Sequence, residues 1–415
     1  MALLELARYL RGIGVPDVIT NAAIPVIPTV SSTTYGCNLI NNGSVWLWDN
    51  PKVNTKKNPY PLRKLMSALA NVGINNGNCK IAWIGDSTTE GCGANGTVLG
   101  GARPFSPPVL TGIALGKMTG LAVNQGVLCG NGGTTEHAST LTAYDARCTY
   151  GSNWAVTNAN TTAGGGLIQT VATAVSANSA NETFAFTPVE AWDTCEIYWY
   201  DAITTGTITV DPGGPSVTLT GINATGILRK SVATRDALGV GSVILTRTVA
   251  PACFVAGIRC YNSTQSSIDI LNMGWIGSTA ISQSTGALVY NPIPAIKAWA
   301  PDMTFINLGI NDVINTSSQA AFTTALTALA NAALVSGDCC LVVPTPLAAS
   351  YATQQALIYT AIYTVAHTLS LPVIDLNSLF VSQVASPQYY YTDLTNLTKS
   401  GYQSVANNYT EFLLG

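Results

Sequence analysis

Three short stretches of the chain carry the residue types of acyl-transfer chemistry. The first, Gly85-Asp86-Ser87-Thr88-Thr89-Glu90-Gly91, follows directly on the apolar run Ile81-Ala82-Trp83-Ile84. A serine on a Gly-flanked turn at the carboxyl end of a buried strand sits where open α/β sheets place their ligands. Its own N–H then points into that crevice, as an oxyanion requires. Read alone, the same residues make an ordinary helix N-cap. The second stretch, Gly309-Ile310-Asn311-Asp312, again ends an apolar run, and the Asn311 amide can donate to the same developing oxyanion. Read alone, it is a strand-ending turn with an Asx cap. The third, Asp393-Leu394-Thr395-Asn396-Leu397-Thr398, precedes Gly401-Tyr402 near the C-terminus.

Together, in order and spread, these stretches resemble the SGNH (GDSL-type) hydrolase family. Gly85 to Gly91 matches its GDSxxxG block and Gly309 to Asp312 its GxND block, and the resemblance covers residues 78–178 and 273–415. It implies an ester hydrolase working through an acyl-enzyme, with Ser87 as nucleophile and its N–H as one oxyanion donor. Asn311 would be another donor. The glycine of the family's second block is expected within residues 124–134, where Gly132 and Gly133 are favoured because a Thr pair follows. The family's last block, DxxH, here reads Asp393-Leu394-Thr395-Asn396, so Asn396 stands where the catalytic histidine is expected. An asparagine can hydrogen-bond a serine hydroxyl but has no basic nitrogen to take its proton. Loss of a triad base costs several orders of magnitude in rate, with a residue left to the oxyanion hole.

Three explanations of Asn396 are open: an engineered replacement, natural loss that leaves a binding protein, and a substitute base. The two histidines of the chain are His137 and His367. His137 follows the second-block loop and is the nearer in sequence to the site, while His367 reads as a surface or core residue late in a helix. Asp393 is the orienting acid or a weak base. Of Tyr389-Tyr390-Tyr391, just before this block, Tyr391 is the candidate for lining the cleft. Trp192, Trp199 and Trp275 could stack on sugar rings, but aromatics of this kind more often pack a core.

The elements that must position these residues follow from hydrophobic pattern. Apolar runs at 81–84, 121–123, 303–308, 341–343 and 373–374 read as buried parallel strands. Helix-period segments at 319–335 and 353–369 alternate with them, which predicts an α/β layer with a parallel sheet, and a further helix-like run at 62–72 ends the lead-in before it. The alternation breaks between 180 and 273, where eight short strands are expected, at 183–186, 196–200, 206–210, 216–219, 227–232, 243–248, 254–261 and 268–271. Asp211-Pro212-Gly213-Gly214-Pro215 is a turn between two of them. The expected architecture is a three-layer α/β/α, flavodoxin-like domain in two parts, 76–179 and 274–415. A β-sandwich or jelly roll is inserted at 180–273, and residues 1–75 form a lead-in or attachment segment.

Composition narrows the partners. Charged residues make up 9 % of the 415 and apolar residues 47 %, with a net charge of −3. A typical soluble domain carries roughly 25 % charged residues. No basic run offers a footprint for nucleic acid or an anionic membrane, and no apolar stretch reaches the length of a membrane span. Residues 1–15 read as a short amphipathic helix rather than a leader, since Glu5, Arg8 and Arg11 interrupt them. A neutral surface rich in hydroxyls and amides suits an extracellular or virion-associated protein, such as a phage tail component, with virion or homo-oligomer contacts through 1–75. Ten cysteines in this length do not make a disulfide framework. Cys253 and Cys260 could pair across a hairpin, though free buried thiols are the plainer reading. With two histidines a His-based metal site is nearly excluded, and no metal or cofactor is expected. The substrate suggested by resemblance, through family members with β-sandwich modules, is an acetylated polysaccharide or another ester. The alternative is a non-catalytic glycan-binding or virion structural protein on the same scaffold.

Overall fold

The computed structural model describes residues 38–41, 46–49, 62–94, 103–129, 141–157, 167–170, 179–285, 292–380, 382–383, 387–390 and 395–414. The expected helix over 1–15 lies outside them. At the centre runs a six-stranded sheet of β1 (Cys79–Gly85), β2 (Val123–Asn124), β3 (Ile268–Gly274), β4 (Met303–Asn307), β5 (Asp338–Val343) and β6 (Val373–Asp375). Its order is β6-β5-β4-β1-β3-β2, and every pairing is parallel.

Both faces of this sheet are covered, which is why its strands read as unbroken apolar runs. Alternate residues separate the two faces. Ile84, Ile306, Leu341 and Val343 pack on the helices Gln319–Ser336 and Ala352–Leu369. Trp83, Phe305, Cys340 and Val342 pack on the helices Arg63–Gly73 and Lys399–Leu414. The result is a three-layer α/β/α architecture. Three of these four helices lie within a residue or two of the helix-like runs in the sequence, whereas Lys399–Leu414 was not expected. Arg63–Gly73 packs on the sheet although it falls within the expected lead-in 1–75.

Two antiparallel sheets are set into this domain. One runs Ile227–Gly239, Trp192–Asp201, Phe254–Tyr261, Leu167–Thr170 and Trp154–Thr157, with Val127–Cys129 also pairing Phe254–Tyr261. The other runs Val217–Thr220, Thr207–Asp211, Val243–Val249, Thr183–Phe186 and Cys148–Tyr150. Phe184, Phe186, Trp192, Ile197, Trp199 and Ile258 are buried between them. Seven of the eight strands expected over 180–273 are present here. The eighth is not: Ile268–Gly274 is β3, seated in the parallel sheet between β1 and β2. The antiparallel pairing also starts earlier than residue 180, at Val127. A short apolar run bounded by turns looks the same whichever sheet receives it.

Candidate active site

Ser87 opens the four-residue helix Ser87–Glu90 immediately after β1. Glycines shape this turn. A Cβ on Gly85 would lie 2.0 Å from Thr89 Oγ1 and 2.9 Å from the Asn307 carbonyl oxygen, so β1 can end against the helix only without a side chain. Gly91 is left-handed, at φ 99°, and a Cβ there would lie 2.9 Å from Ser106 Cα. Asp86 caps the turn, its Oδ1 accepting from Thr88 N–H at 2.9 Å and from the Thr88 hydroxyl at 2.7 Å. Ser87 is 5 % exposed, and among the described residues nothing takes its N–H or its hydroxyl.

The neighbour of β1 on one side is β3, in register so that Gly274 faces Gly85. This brings residues 275–279 to the nucleophile turn. The Gly85 carbonyl accepts from Trp275 N–H at 2.9 Å, Ser278 Oγ at 3.2 Å and Gln283 Nε2 at 3.1 Å. Glu90 Oε2 accepts from Ile276 N–H at 3.0 Å. Gly277 sits in the left-handed region at φ 74° with open space where a Cβ would be, and its N–H bonds to no described residue.

On the other side lies β4, whose Asn307 also faces Gly85. Gly309, at φ 137°, turns the chain into the helix Ile310–Ile314. Asn311 Nδ2 donates to the Ser278 carbonyl at 2.9 Å, and Asp312 Oδ2 accepts from Ala280 N–H at 2.9 Å. The serine turn, the 275–279 loop and the Asn311 turn are therefore one hydrogen-bonded unit at the carboxyl ends of three adjacent strands.

Asn396 is buried in the turn before the last helix. The Tyr402 hydroxyl donates to the Cys92 carbonyl at 2.5 Å and accepts from Leu397 N–H at 3.4 Å. That pair of bonds moors the Asn396 turn to the segment leaving the nucleophile. Asp393, Tyr391, His137, Gly132 and Gly133 lie outside the described residues. Tyr390 is buried, with its hydroxyl donating to Pro346 O at 3.2 Å, and His367 is exposed in the last turn of its helix. Trp192, Trp199 and Trp275 are core residues, each at most 4 % exposed.

Sequence reading missed the 275–279 loop with Gly277 and Ser278. Its signal was present as Gly274-Trp275-Ile276-Gly277-Ser278-Thr279, two glycines directly after an apolar run and before a Thr-capped helix. Two carboxyl groups under this unit titrate abnormally. Burial pushes Asp86 up to about 6 against the opposing Thr88 bonds, and the nearby Asp312 adds to it. Burial likewise pushes Asp312 up to about 6. Among the described residues no group of His, Cys, Asp and Glu is arranged to hold a metal ion, and no helix is long and apolar enough to cross a membrane.

Neither a family model nor a curated protein sequence matches the chain. Solved structures do. A peptidoglycan O-acetylesterase aligns with a TM-score of 0.61 at 13 % identity, over 87 % of this chain and 97 % of that one. A lipase/acylhydrolase from Enterococcus faecalis aligns at 0.32 and 17 % identity, over 36 % of this chain and 77 % of that one. A family two carbohydrate esterase from Clostridium thermocellum aligns at 0.30 and 14 % identity, over 64 % of this chain and 98 % of that one. The first alignment covers most of this chain, and the chain has the three-layer fold of the SGNH (GDSL-type) hydrolases with antiparallel sheets set into it.

Proposed function

We propose that the chain is a serine esterase of the SGNH type, built to remove O-acetyl groups from carbohydrate and impaired at one residue, Asn396. The observation that carries this reading is the hydrogen-bonded unit in which Ser87, the 275–279 loop and Asn311 meet at the carboxyl end of the sheet. Ser87 Oγ attacks the ester carbonyl, and its proton must pass to a base. The tetrahedral oxyanion is held by the N–H of Ser87, the N–H of Gly277 and the amide of Asn311. Gly277 suits the donor role because it follows β3, the strand beside β1 and the nucleophile turn. The sugar hydroxyl leaves, and water then releases acetate from Ser87.

Carbohydrate as the substrate rests on one support. The solved structure with the broad alignment is a peptidoglycan O-acetylesterase.

Asn396 favours a second reading, a glycan-binding protein without turnover. Hydrolysis of p-nitrophenyl acetate by the chain, by Asn396→His and by Ser87→Ala separates them. The esterase reading expects Asn396→His to gain at least about a hundredfold, the usual reach of one general base, and the unaltered chain to stay near the Ser87→Ala blank. If all three proteins are equally slow, the binding reading replaces it. A chain already as fast as Asn396→His points to another base, with His137 the next residue to replace.

A further inference from the structure

Cys195 and Cys260 stand directly opposite each other on the paired strands Trp192–Asp201 and Phe254–Tyr261. The N–H of Cys260 donates to the Gly126 carbonyl at 2.7 Å, on the side of its strand that faces away from Cys195. In an antiparallel ladder a residue directs both its N–H and its C=O to the same side. The two cysteines therefore form a non-hydrogen-bonded pair, the kind in which Cα atoms approach to about 4.5 Å. That separation falls within the roughly 4.4–6.8 Å over which a disulfide closes. Both residues are buried in the core between the antiparallel sheets, at 0 % and 1 % exposure. Cys253, which the sequence allowed to pair with Cys260 but read more plainly as a free thiol, directs its thiol to the Pro251 carbonyl at 3.8 Å.

We propose that Cys195 and Cys260 are a redox-modifiable pair, dithiol as described here and converted to a cross-strand disulfide by a small disulfide oxidant such as oxidised glutathione. One cysteine thiolate attacks the glutathione disulfide and displaces one glutathione as its thiol. The second cysteine attacks the mixed disulfide and displaces the other glutathione. Two protons and two electrons pass from the protein to two glutathione molecules, and one S–S bond replaces two S–H bonds. The link closes a long loop of the unfolded chain, which favours the folded state. It also braces the Phe254–Tyr261 strand, from which Cys260 holds Gly126.

The test uses the full chain, both native and refolded, in a buffer with oxidised glutathione in excess over reduced. Refolding in that buffer removes access to the core as a barrier. The protein is then denatured and alkylated, and peptide mapping reads which cysteines are linked. The expected result is a linked pair of peptides holding Cys195 and Cys260, lighter by two hydrogens. A higher midpoint of thermal unfolding should accompany it and be reversed by dithiothreitol. Cys195→Ser and Cys260→Ser should each lose the linkage and the oxidant-dependent shift. Alkylation of both thiols after refolding in the oxidising buffer overturns the proposal, and so does a Cys253–Cys260 linkage.

Discussion

At Asp312 a carboxyl group bears the cost of its own position. It must be buried to hold the Ala280 N–H, and burial pushes it up to about 6. Asp86 and Asp338 are raised to about the same value, in each case by burial first. An acid whose folded pKa is raised binds its proton more tightly in the folded state. Its contribution is therefore most favourable below the unfolded value near 3.8 and is lost as pH rises through about 6. Asp312→Asn keeps an acceptor for Ala280 and removes the charge. The variant should show a shallower fall in stability between pH 4 and pH 6, read as urea midpoints across that range, and no loss at neutral pH. An unchanged slope would mean that Asp312 does not titrate there. At this scale the sequence was most legible in local turn chemistry: Ser87 and Asn311 sit on Gly-flanked turns directly after β1 and β4, as their spacing implied. Gly277 was not legible, because its place beside the Ser87 turn depends on the pairing of two strands 189 residues apart in sequence, Cys79 with Ile268.

Among the elements, β3 bears on both halves of the molecule. Its Asp269 is fully buried and accepts from Arg259 Nε at 2.8 Å and from Asn124 Nδ2 at 2.7 Å. Arg259 belongs to the antiparallel strand Phe254–Tyr261 and also lies 3.4 Å from Glu196, so one guanidinium ties the parallel sheet to the inserted one. Burial disfavours that charge, yet Asp269 and Glu196 hold it above its ordinary value. Removing one partner of a buried ion pair strands the other, at about 3–5 kcal/mol. Arg259→Met should cost that much in urea unfolding, and Asp269→Asn combined with Arg259→Met should recover part of it. A loss below about 1 kcal/mol, the level of an exposed pair, would show that the tie carries little. None of this was visible in the pattern, since an apolar run with one Asp reads as a strand without saying which sheet.

For the molecule as a whole, the contact between the inserted sheets and the helix Pro292–Trp299 decides how the two parts hold together. Trp299 stacks on Tyr198 with ring centroids 3.8 Å apart, and a Cβ on Gly257 would lie 2.5 Å from its ring. Trp299→Ala should cost about 3–5 kcal/mol, as large-to-small changes at a buried Trp do. Gly257→Ala should also destabilise, because the ring has no room to give. Both are checked by calorimetric unfolding, and a Trp299→Ala midpoint equal to that of the unaltered chain would show that the interface adds nothing. The sequence by itself determined the strands and helices from hydrophobic period, the serine turn from its Gly-Asp-Ser residues, and the substitution at Asn396. Those are local properties, written in neighbouring residues. The tertiary structure alone decided that Ile268–Gly274 lies beside β1, that Gly277 and Ser278 therefore reach the nucleophile, and that Cys260 faces Cys195. Strand partners are chosen by burial and backbone hydrogen bonds between segments far apart in the chain, and neither leaves a mark on the residues of one segment alone.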